Sequence, residues 1–553
     1  MIIRVRERAP ARLAVALLTL LLLARGGVAN ASTYAAYIPL DSSIYNELDT
    51  LNDLGMVQSY LPAIKPISRV EAARLTIEAE RNLNEQEYSP LADRIITALR
   101  LQLAEEVSWL EGDIEDTLPT MVHPVERVEG GYVFSSGKRR GITTSNGQGG
   151  ISWRESTPLL PDNDNLPTAS GSNEVLRWSG WAGAGGFITG YGEAAVAGPL
   201  SRNAPGINRA QLLTGAVVVS LGNTAISFGQ EEMAWGVGRY GSLSQSSNGT
   251  PFLALRAQNI HPNHLPGIFR YLGLVRWQTF FGQLDGDRIY SHPWIVGQNI
   301  SFKTLPGFDW GITHGVMFGG SGNDNYSWMG FLGRATGLAT GDPKGANTNQ
   351  RVGMFASYRM SWLRGTQVYG EILGEDFFQP FGPGFIKTPF KAPSYQAGIY
   401  VPRVTADGLT TARLEYLLLD QEYSQHSDSL YWTYQDRLMG QSLGPRAWQV
   451  HLTLGRWIDL QSKLDVDFFY SKRQPVKRLT TAAFGDEESY GISLDFIHLP
   501  IEISYLAGSL GEMRGRVGVE YVNGINYTNE NSMRAMVEVV VGLTPSWPSL
   551  RWK

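Results

Sequence analysis

One stretch of the sequence, residues 228–252, concentrates aromatic, basic and amide side chains between glycines. Trp235, Arg239 and Tyr240 lie close together, and Asn248 follows in a serine-rich run. Aromatic rings stack on the apolar faces of sugars, while arginine and amide groups hydrogen-bond to hydroxyls and carboxylates. The stretch therefore indicates carbohydrate contact. A structural interpretation stays open beside it, in which the glycines permit a sharp bend and Trp235 and Arg239 pack inside the fold.

Groups typical of hydrolases and metalloproteins are few. Residues 440–444 match Gly-x-Ser-x-Gly, with Ser442 at the centre. A nucleophile elbow needs a strand before the serine and a helix after it, whereas a polar loop and Pro445 flank this one. His261 and His264 have a spacing that could ligate a metal, but no acidic residue nearby in the sequence completes a site. The sequence therefore predicts a loop turn at Ser442 and no metal ion.

Neighbouring carboxylates occur at Glu231-Glu232, Glu375-Asp376 and Asp486-Glu487-Glu488. Consecutive residues on a strand point to opposite faces, so such neighbours do not form the acid/base pair that glycoside cleavage needs. The better interpretation is that they are lumen or loop charges held by arginine. We therefore predict no catalytic residue, no cofactor and a protein that is not an enzyme.

The N-terminus has the three-part layout of a cleavable Sec-type signal peptide. Several arginines precede an apolar run at residues 13–24, which is too short to anchor the chain in a bilayer. Ala29 and Ala31 then occupy the −3 and −1 positions of a cleavage site. We expect cleavage after Ala31, so that residues 1–31 are removed.

Composition excludes several classes of protein. The whole chain has a net charge of −5, and residues 1–31 contribute five Arg and one Glu, which leaves the mature chain at about −9. No basic block remains that could follow a phosphate backbone, so nucleic acid is not an expected partner. Cysteine is absent, which excludes disulfides and thiolate metal sites. Glycine is abundant and charged residues make up only 18 %.

The hydrophobic period divides the mature chain into two regions. From residue 37 to about 113 it is helical and predicts three amphipathic helices, with Gly55 capping the first, Ser68 starting the second and Ser89 starting the third. After about residue 124 the period becomes two, and about 18 to 20 strands of roughly ten residues are predicted. We therefore expect residues 32–123 to form a small helical periplasmic plug and residues 124–553 to form the strands.

A transmembrane antiparallel β-barrel accounts for these strands better than a soluble sandwich does. Aromatic-rich strands in a long run of hairpins fit a closed structure in which every backbone group pairs. The predicted tight turns lie near residues 222, 307 and 458 and would be periplasmic. Long connections are predicted to be extracellular, at residues 137–150, 157–174, 320–349, 377–393 and 421–445.

Several motifs together resemble one known family. They are Trp235-Gly-Val-Gly-Arg-Tyr-Gly-Ser-Leu243 with the following Asn248, the helical entry at residues 37–69, Gly370–Asp376 and Gly440–Pro445. This set is similar to the signature of the Wzi capsule-assembly outer-membrane proteins, although Val237 stands where that signature usually has proline. The resemblance implies an eighteen-stranded barrel, a helical bundle at its periplasmic mouth and a lectin-like, non-catalytic role. The candidate glycan-contact or structural residues are then Trp235, Arg239, Tyr240, Asn248, Glu375 and Asp376.

The leading hypothesis is an outer-membrane protein of a Gram-negative-type bacterium that binds, or helps to assemble or attach, capsular or other surface polysaccharide. The expected partners are that polysaccharide and outer-membrane lipids, and we expect a monomer. Two alternatives stay open. One is a porin-like diffusion channel, since barrels of this size can hold water. The other is an outer-membrane lipid or glycan hydrolase.

Overall fold

The computed structural model covers most of the chain. It describes residues 33–85, 89–112, 118–138, 140–143, 152–154, 159, 170–198, 210–286, 288–323, 348–375, 392–426, 430–435, 437–476, 485–503, 509–545 and 550–552. The expected signal peptide, residues 1–31, lies outside these ranges. Among the helices described, none combines the length and apolar character that a membrane crossing requires.

Eighteen antiparallel strands close into a barrel, which confirms the predicted fold class. Each strand pairs with its neighbour in the chain, and the last pairs with the first over Val128–Ser135. In chain order, β1 to β18 are Thr120–Ser135, Gly171–Ala184, Ile188–Ala197, Ala210–Leu221, Thr224–Gln230, Leu253–Asn259, Leu274–Gln283, Trp294–Leu305, Phe308–Phe318, Thr348–Met360, Thr366–Glu375, Ser394–Val401, Thr410–Leu419, Ala447–Trp457, Ser462–Arg473, Glu487–Ile503, Ser509–Asn523 and Ser532–Thr544.

The barrel wall is apolar outside and polar inside. On β13, Leu414 and Tyr416 point outward and are 45 % and 43 % exposed, whereas the inward Glu415 is buried. This is the reverse of a water-soluble barrel, in which apolar side chains fill the interior. The alternation predicted from the sequence is therefore confirmed, with the apolar face on the outside.

Four helices precede the barrel. They are α1 (Ser43–Leu54), α2 (Arg69–Glu85), α3 (Pro90–Gln102) and α4 (Ala104–Glu111). Gly55 ends α1 with φ 86, and the hydroxyls of Ser68 and Ser89 accept backbone N–H bonds at the starts of α2 and α3, as predicted. The predicted third helix is in fact two helices, because the helical backbone conformation is interrupted at Leu103. There Arg69 donates a hydrogen bond from Nη2 to the carbonyl of Gln102 at 2.7 Å.

Two of the predicted strands are wrong. The segment near residue 151 forms only Ser152–Arg154, which pairs with Gly141–Thr143 outside the barrel. The segments near residues 490 and 501 are one strand, β16, which continues through a register shift between His498 and Ile501. Pro500 lies in that irregularity, where a missing N–H costs no ladder hydrogen bond.

The connections differ in length between the two ends of the barrel. Two-residue turns occur at residues 222–223 and 306–307, and a short turn occurs at 458–461. The helices pack at this end, since Trp457 and Leu499 of the barrel belong to the core of the helical region. We call it the helical end. Long connections, which include residues 136–170, 231–252 and 420–446, leave from the opposite end. The sequence predicted long connections within the first and the last of these ranges, but not at 231–252.

Several segments turn inward and occupy the lumen. A two-residue strand of the N-terminal region, Ile64–Lys65, pairs inside the barrel with Ala234–Trp235. Residues 231–252, which we call the inner loop, meet residues 420–446 there. One buried apolar cluster joins Ile64, Trp235 and Trp432 to Phe280 of the wall. Leu159 is also buried, against Phe469 of β15 and other inward residues.

Candidate functional site

Glycines in the inner loop allow its backbone to approach the barrel wall closely. Gly236 has φ +135, and a Cβ added to it would lie 2.1 Å from Oε1 of Glu371. A Cβ on Gly238 would lie 2.2 Å from Nε2 of Gln396. Any larger residue would therefore push the loop away from the wall. This explains the glycine spacing around Trp235 and Arg239.

Glu371 of β11 receives this backbone. Its Oε1 accepts the N–H groups of Val237 and Gly238, the latter at 2.9 Å. Its Oε2 accepts the N–H of Leu243 at 3.1 Å and the hydroxyl of Ser242 at 3.3 Å. Successive N–H groups that converge in this way form an anion-binding concavity, which a carboxylate of the wall fills here.

Glu415 of β13 does the same for the next turn of the loop. Its Oε2 accepts the N–H of Arg239 at 2.9 Å, and its Oε1 accepts that of Tyr240 at 3.3 Å. Tyr369 of β11 and Gln396 of β12 also donate to this carboxylate, at 2.8 and 2.7 Å. Two buried carboxylates therefore fix the position of the loop between Val237 and Leu243.

Three of the predicted site residues are buried and hold the loops together. Trp235 is 1 % exposed, and its indole N–H donates to Oε1 of Gln278 at 2.5 Å. Asn248 donates from Nδ2 to the carbonyl of Leu438 at 2.8 Å. Glu375 accepts the N–H of Ser424 at 3.1 Å. Asp376, the sixth residue of the predicted set, lies outside the described residues.

Arg239 and Tyr240 remain closest to solvent. Arg239 is exposed, and its Nη2 donates to Oδ1 of Asn46 in α1 at 2.9 Å. The Tyr240 ring stacks on His451 with centroids 3.4 Å apart, and its hydroxyl donates to Asp467 at 2.8 Å. Burial, and then the Asp467 charge, raise the pKa of Tyr240 well above its usual value, so the hydroxyl keeps its proton.

Charged inward-facing side chains of β15 to β17 keep partial solvent exposure. Lys463 pairs with Asp465 at 2.9 Å, with side chains 21 % and 14 % exposed. Arg516 binds both oxygens of Asp495 at 2.5 Å. These side chains line a polar part of the lumen that the inner loop does not fill. They offer hydrogen-bond donors and acceptors to a polar ligand.

Residues 420–446 fasten the inner loop from the other side. The Tyr423 hydroxyl donates to the carbonyl of Leu243 at 2.9 Å and accepts the N–H of Gln441 at 2.6 Å. Ser442 is buried in a turn that runs directly into strand β14, with no helix after it. The geometry of a nucleophile elbow is therefore not formed, in agreement with the predicted turn.

Ion pairs dock the N-terminal region in the lumen. Asp41 meets Arg177 at 3.0 Å, Arg514 at 3.2 Å and Arg127 at 3.7 Å. Burial alone would raise the pKa of the Asp41 carboxyl, but the three guanidinium groups outweigh it and hold the pKa well below its usual range. A cavity of about 80 Å³ remains between this segment and the wall, which is room for a few water molecules.

A second docking contact lies at the helical end. Glu71 of α2 is buried, and its Oε2 lies 2.6 Å from Nδ1 of His261 in the connection between β6 and β7. Arg74 binds both oxygens of the same carboxylate at 2.8 Å. Burial raises the pKa of Glu71, but Arg74 and then His261 lower it to about 2. His261 thus has a structural partner, and the described residues contain no cluster of three or more potential metal ligands.

The hydrogen-bonding roles of Glu371, Glu415 and Asp41 were not predicted from the sequence. The signal for the two glutamates was their place on the polar face of a strand opposite a glycine-rich loop. Strand alternation identifies an inward carboxylate, but it does not identify which segment of the chain enters the lumen to meet it.

Comparisons with known proteins point to one family. A sequence model of the family described as capsule assembly protein Wzi matches residues 143–532. The fold is similar to that of Wzi of Escherichia coli, which is described as a carbohydrate-binding β-barrel involved in group 1 capsule assembly. The identity is 17 % and the TM-score 0.63, and the match covers 91 % of this chain and 99 % of the other.

Two further solved structures show a weaker similarity. OccAB1 of Acinetobacter baumannii has 9 % identity and a TM-score of 0.38, with 75 % of this chain and 96 % of the other covered. OprD of Pseudomonas aeruginosa has 7 % identity and a TM-score of 0.43, with 78 % and 96 % covered. A search of curated proteins finds no match.

Proposed function

Because this chain belongs to the Wzi capsule assembly family, we propose that it is a non-catalytic outer-membrane protein that binds surface polysaccharide and helps to attach or assemble it. The family match carries the proposal, since it covers residues 143–532 and so includes the inner loop and most of the barrel. The polysaccharide is capsular or a related surface polymer.

The distribution of side chains supports placement in a membrane. An apolar outer wall and a charged interior suit a barrel surrounded by lipid. In this proposal the helical end faces the periplasm, with residues 32–123 as a plug, and the long connections face the cell exterior. Residues 1–31 direct export and are then removed.

The segments that are fixed inside the lumen support binding rather than diffusion. The inner loop is fixed by Glu371 and Glu415, and the N-terminal region is fixed by the ion pairs of Asp41. Buried, hydrogen-bonded segments of this kind do not yield easily to a passing solute, because displacing them leaves buried charges unpaired. The protein then presents its long connections as a rigid surface.

Among the candidate residues that the structure describes, Arg239 is the one whose side chain stays available to a sugar, inside the lumen on the side of the inner loop that faces α1. Its guanidinium is exposed, whereas Trp235, Asn248 and Glu375 are buried. A guanidinium binds carboxylate groups in a two-point geometry, so Arg239 suits an acidic polymer. Tyr240, held on His451, is its neighbour.

Binding of the purified, reconstituted protein to a panel of acidic and neutral polysaccharides tests this function. We expect the wild type to bind an acidic polymer and Arg239→Gln to bind it about tenfold more weakly, the effect of losing one charged hydrogen bond. Arg456→Gln is the matched control, since Arg456 is exposed and pairs with Asp407 at the helical end. A wild type that binds no polymer contradicts the function, while equal binding by Arg239→Gln contradicts only the assigned contact.

A further inference from the structure

A short 3₁₀ helix, Gly267–Leu272, projects from the barrel between β6 and β7 at the helical end. Its apolar side chains are uncovered: Ile268 is 75 %, Tyr271 69 % and Phe269 54 % exposed. Three large apolar residues within four positions form a patch that soluble surfaces rarely leave bare, so this element has a binding partner of apolar character.

The 3₁₀ helix is attached to the outward face of the barrel. The Thr304 hydroxyl donates to the carbonyl of Leu272 at 2.9 Å and accepts the indole N–H of Trp310 at 2.8 Å. Trp310 stacks on Phe302, with ring centroids 4.5 Å apart. The exposed helix is therefore continuous with the aromatic outer surface of β8 and β9.

The next turns along the same rim extend the apolar surface. Leu305, at the turn between β8 and β9, is 60 % exposed. In the turn between β10 and β11, Trp362 is 75 % and Leu363 45 % exposed. These turns follow one another around the barrel because the strands pair in chain order. We call residues 267–272, Leu305 and residues 361–364 together the rim patch.

The rim patch includes two arginines. Arg270 donates from Nη2 to the Tyr271 hydroxyl at 3.1 Å, and Arg364 donates from Nη1 to the carbonyl of Val404 at 3.2 Å. Within the described ranges neither guanidinium lies at ion-pair distance from a carboxylate. By contrast, inward arginines such as Arg127 and Arg516 have acidic partners. The rim patch thus combines apolar side chains with two cations available to an external anion.

We propose that the rim patch is an interfacial anchor for phospholipid, which inserts Ile268, Phe269, Tyr271 and Trp362 at the boundary between headgroups and acyl chains. Arg270 and Arg364 then bind the phosphates of anionic headgroups, whose charge no choline offsets. Aromatic and aliphatic groups beside arginine are the composition of an element that lies in a membrane interface. Continuity with the outer wall favours lipid over a second copy or a water-soluble partner. The inference rests on the membrane placement proposed above.

Site-directed spin labelling tests the insertion directly, because the chain has no cysteine of its own. Phe269→Cys reports on the rim patch, Ala406→Cys on a polar turn of the same rim, and Val517→Cys on the outer wall, where Val517 is 51 % exposed. Each labelled protein is reconstituted into vesicles of phosphatidylglycerol and phosphatidylcholine. The accessibility of the label to oxygen and to a water-soluble nickel chelate is then measured.

We expect the labels at positions 269 and 517 to be accessible to oxygen and protected from nickel, and the label at 406 to be accessible to nickel. A label at 269 that is as accessible to nickel as that at 406, with 517 still in lipid, overturns the anchor alone. A label at 517 in water overturns the membrane placement itself. Dipolar coupling between labels at 269 on different molecules overturns lipid as the occupant, because a second copy then covers the patch.

A second measurement tests the two arginines. A fluorophore at position 269 is quenched by nitroxide lipids that carry either a phosphatidylglycerol or a phosphatidylcholine headgroup. We expect stronger quenching by the anionic lipid, and we expect Arg270→Gln with Arg364→Gln to reduce that preference by about fivefold for each arginine. Arg456→Gln is the control on the same rim. An unchanged preference in the double variant overturns the contact of these arginines with anionic headgroups.

Discussion

At the scale of single residues, the inner loop depends on two wall carboxylates, Glu371 and Glu415. Together they accept five backbone N–H groups between Val237 and Leu243. Those donors are buried or partly buried in the lumen, where water replaces a lost acceptor less easily than at an open surface. The glycines of the inner loop thus let its backbone reach the wall, and the exposed Arg239 side chain projects from the segment that these bonds fix.

Glu371→Gln is expected to loosen the inner loop. Both carboxylate oxygens accept donors, so an amide in either orientation turns an NH₂ group toward an N–H or hydroxyl. A cost of about 1–3 kcal/mol follows for unsatisfied buried donors, and amides of residues 237–243 should exchange about 10- to 100-fold faster. Hydrogen–deuterium exchange measures this. Glu85→Gln, at the exposed end of α2, is the control. If residues 237–243 exchange no faster in Glu371→Gln than in this control, the role of Glu371 is contradicted.

Glu47→Gln is expected to make the helical region less sensitive to pH. Burial, only partly offset by the Gln102 amide, raises the pKa of Glu47 to about 7. Ionisation therefore opposes folding, and stability falls as pH rises from the ordinary carboxyl pKa through about 7. The variant should gain about 1–3 kcal/mol at pH 8 and nothing at pH 4. Exchange protection of α1 at both values measures this, and an equal effect at both is inconsistent with the raised pKa.

Some of the pH dependence of stability will remain in Glu47→Gln. Burial also raises the pKa of Asp53 to about 7, against the opposing charge of Arg413, so Asp53 titrates in the same range. The wild type should therefore lose exchange protection more steeply between pH 5 and pH 8 than Glu47→Gln does. The variant should still lose some protection over this range, because Asp53 still ionises.

The six candidate residues show what sequence alone can settle at this scale. The interpretation in which Trp235 packs inside the fold is confirmed by its burial, whereas Arg239 is exposed. Residue type and spacing singled out a segment that the structure places in the lumen. They could not divide it into scaffold and contact residues, because burial in the lumen depends on distant partners such as Gln278 and Asn46.

At the scale of elements, ion pairs add to apolar packing in holding the N-terminal region in the barrel. Asp41 contacts three arginines of the wall, Arg69 binds Glu126 of β1 at 2.5 Å, and Glu71 contacts His261. Each contact joins a helix or its leading segment to a different part of the barrel. The helical region is therefore fixed at several separate positions and behaves as a part of the barrel.

Asp41→Asn is expected to loosen this docking. The variant removes a charge that sits among Arg127, Arg177 and Arg514, although other carboxylates still reach those arginines. A loss of about 1–3 kcal/mol in local stability follows, smaller than for a fully isolated pair. Exchange over residues 33–46 should increase, and current steps should appear in planar bilayers where the wild type is nearly silent.

Asp407→Asn provides the comparison for this experiment, because Asp407 is 42 % exposed and pairs with Arg456 at the rim. It should change neither exchange nor conductance. A wild type that conducts as freely as Asp41→Asn would contradict the docked plug.

Element boundaries followed the local signals that the sequence contains. The caps at Ser68, Ser89 and Gly55 were predicted correctly because a cap depends on neighbouring residues alone. The break at Leu103 was not predicted, since Arg69, more than thirty residues away, captures the carbonyl that precedes it. Likewise, the strand expected near residue 151 has the alternation of a strand but no place in the closed barrel.

At the scale of the whole molecule, the protein is a closed barrel with a fixed interior and an apolar outer wall. The inner loop, residues 420–446 and the N-terminal region meet in one buried cluster, so the interior is a single connected structure. Such an arrangement suits the presentation of a rigid surface for a long polymer, which can bind through many weak contacts. The rim patch then fixes the barrel at the opposite membrane interface.

A role in attaching surface polysaccharide is tested by following the polymer in cells that lack the protein. Polymer attached to the cells and polymer released into the medium are quantified in the deletion strain, in the complemented strain and in the wild type. We expect attached polymer to fall severalfold in the deletion strain while released polymer rises and the total is unchanged, and we expect complementation to restore attachment. Attached polymer at the wild-type level in the deletion strain would contradict this role.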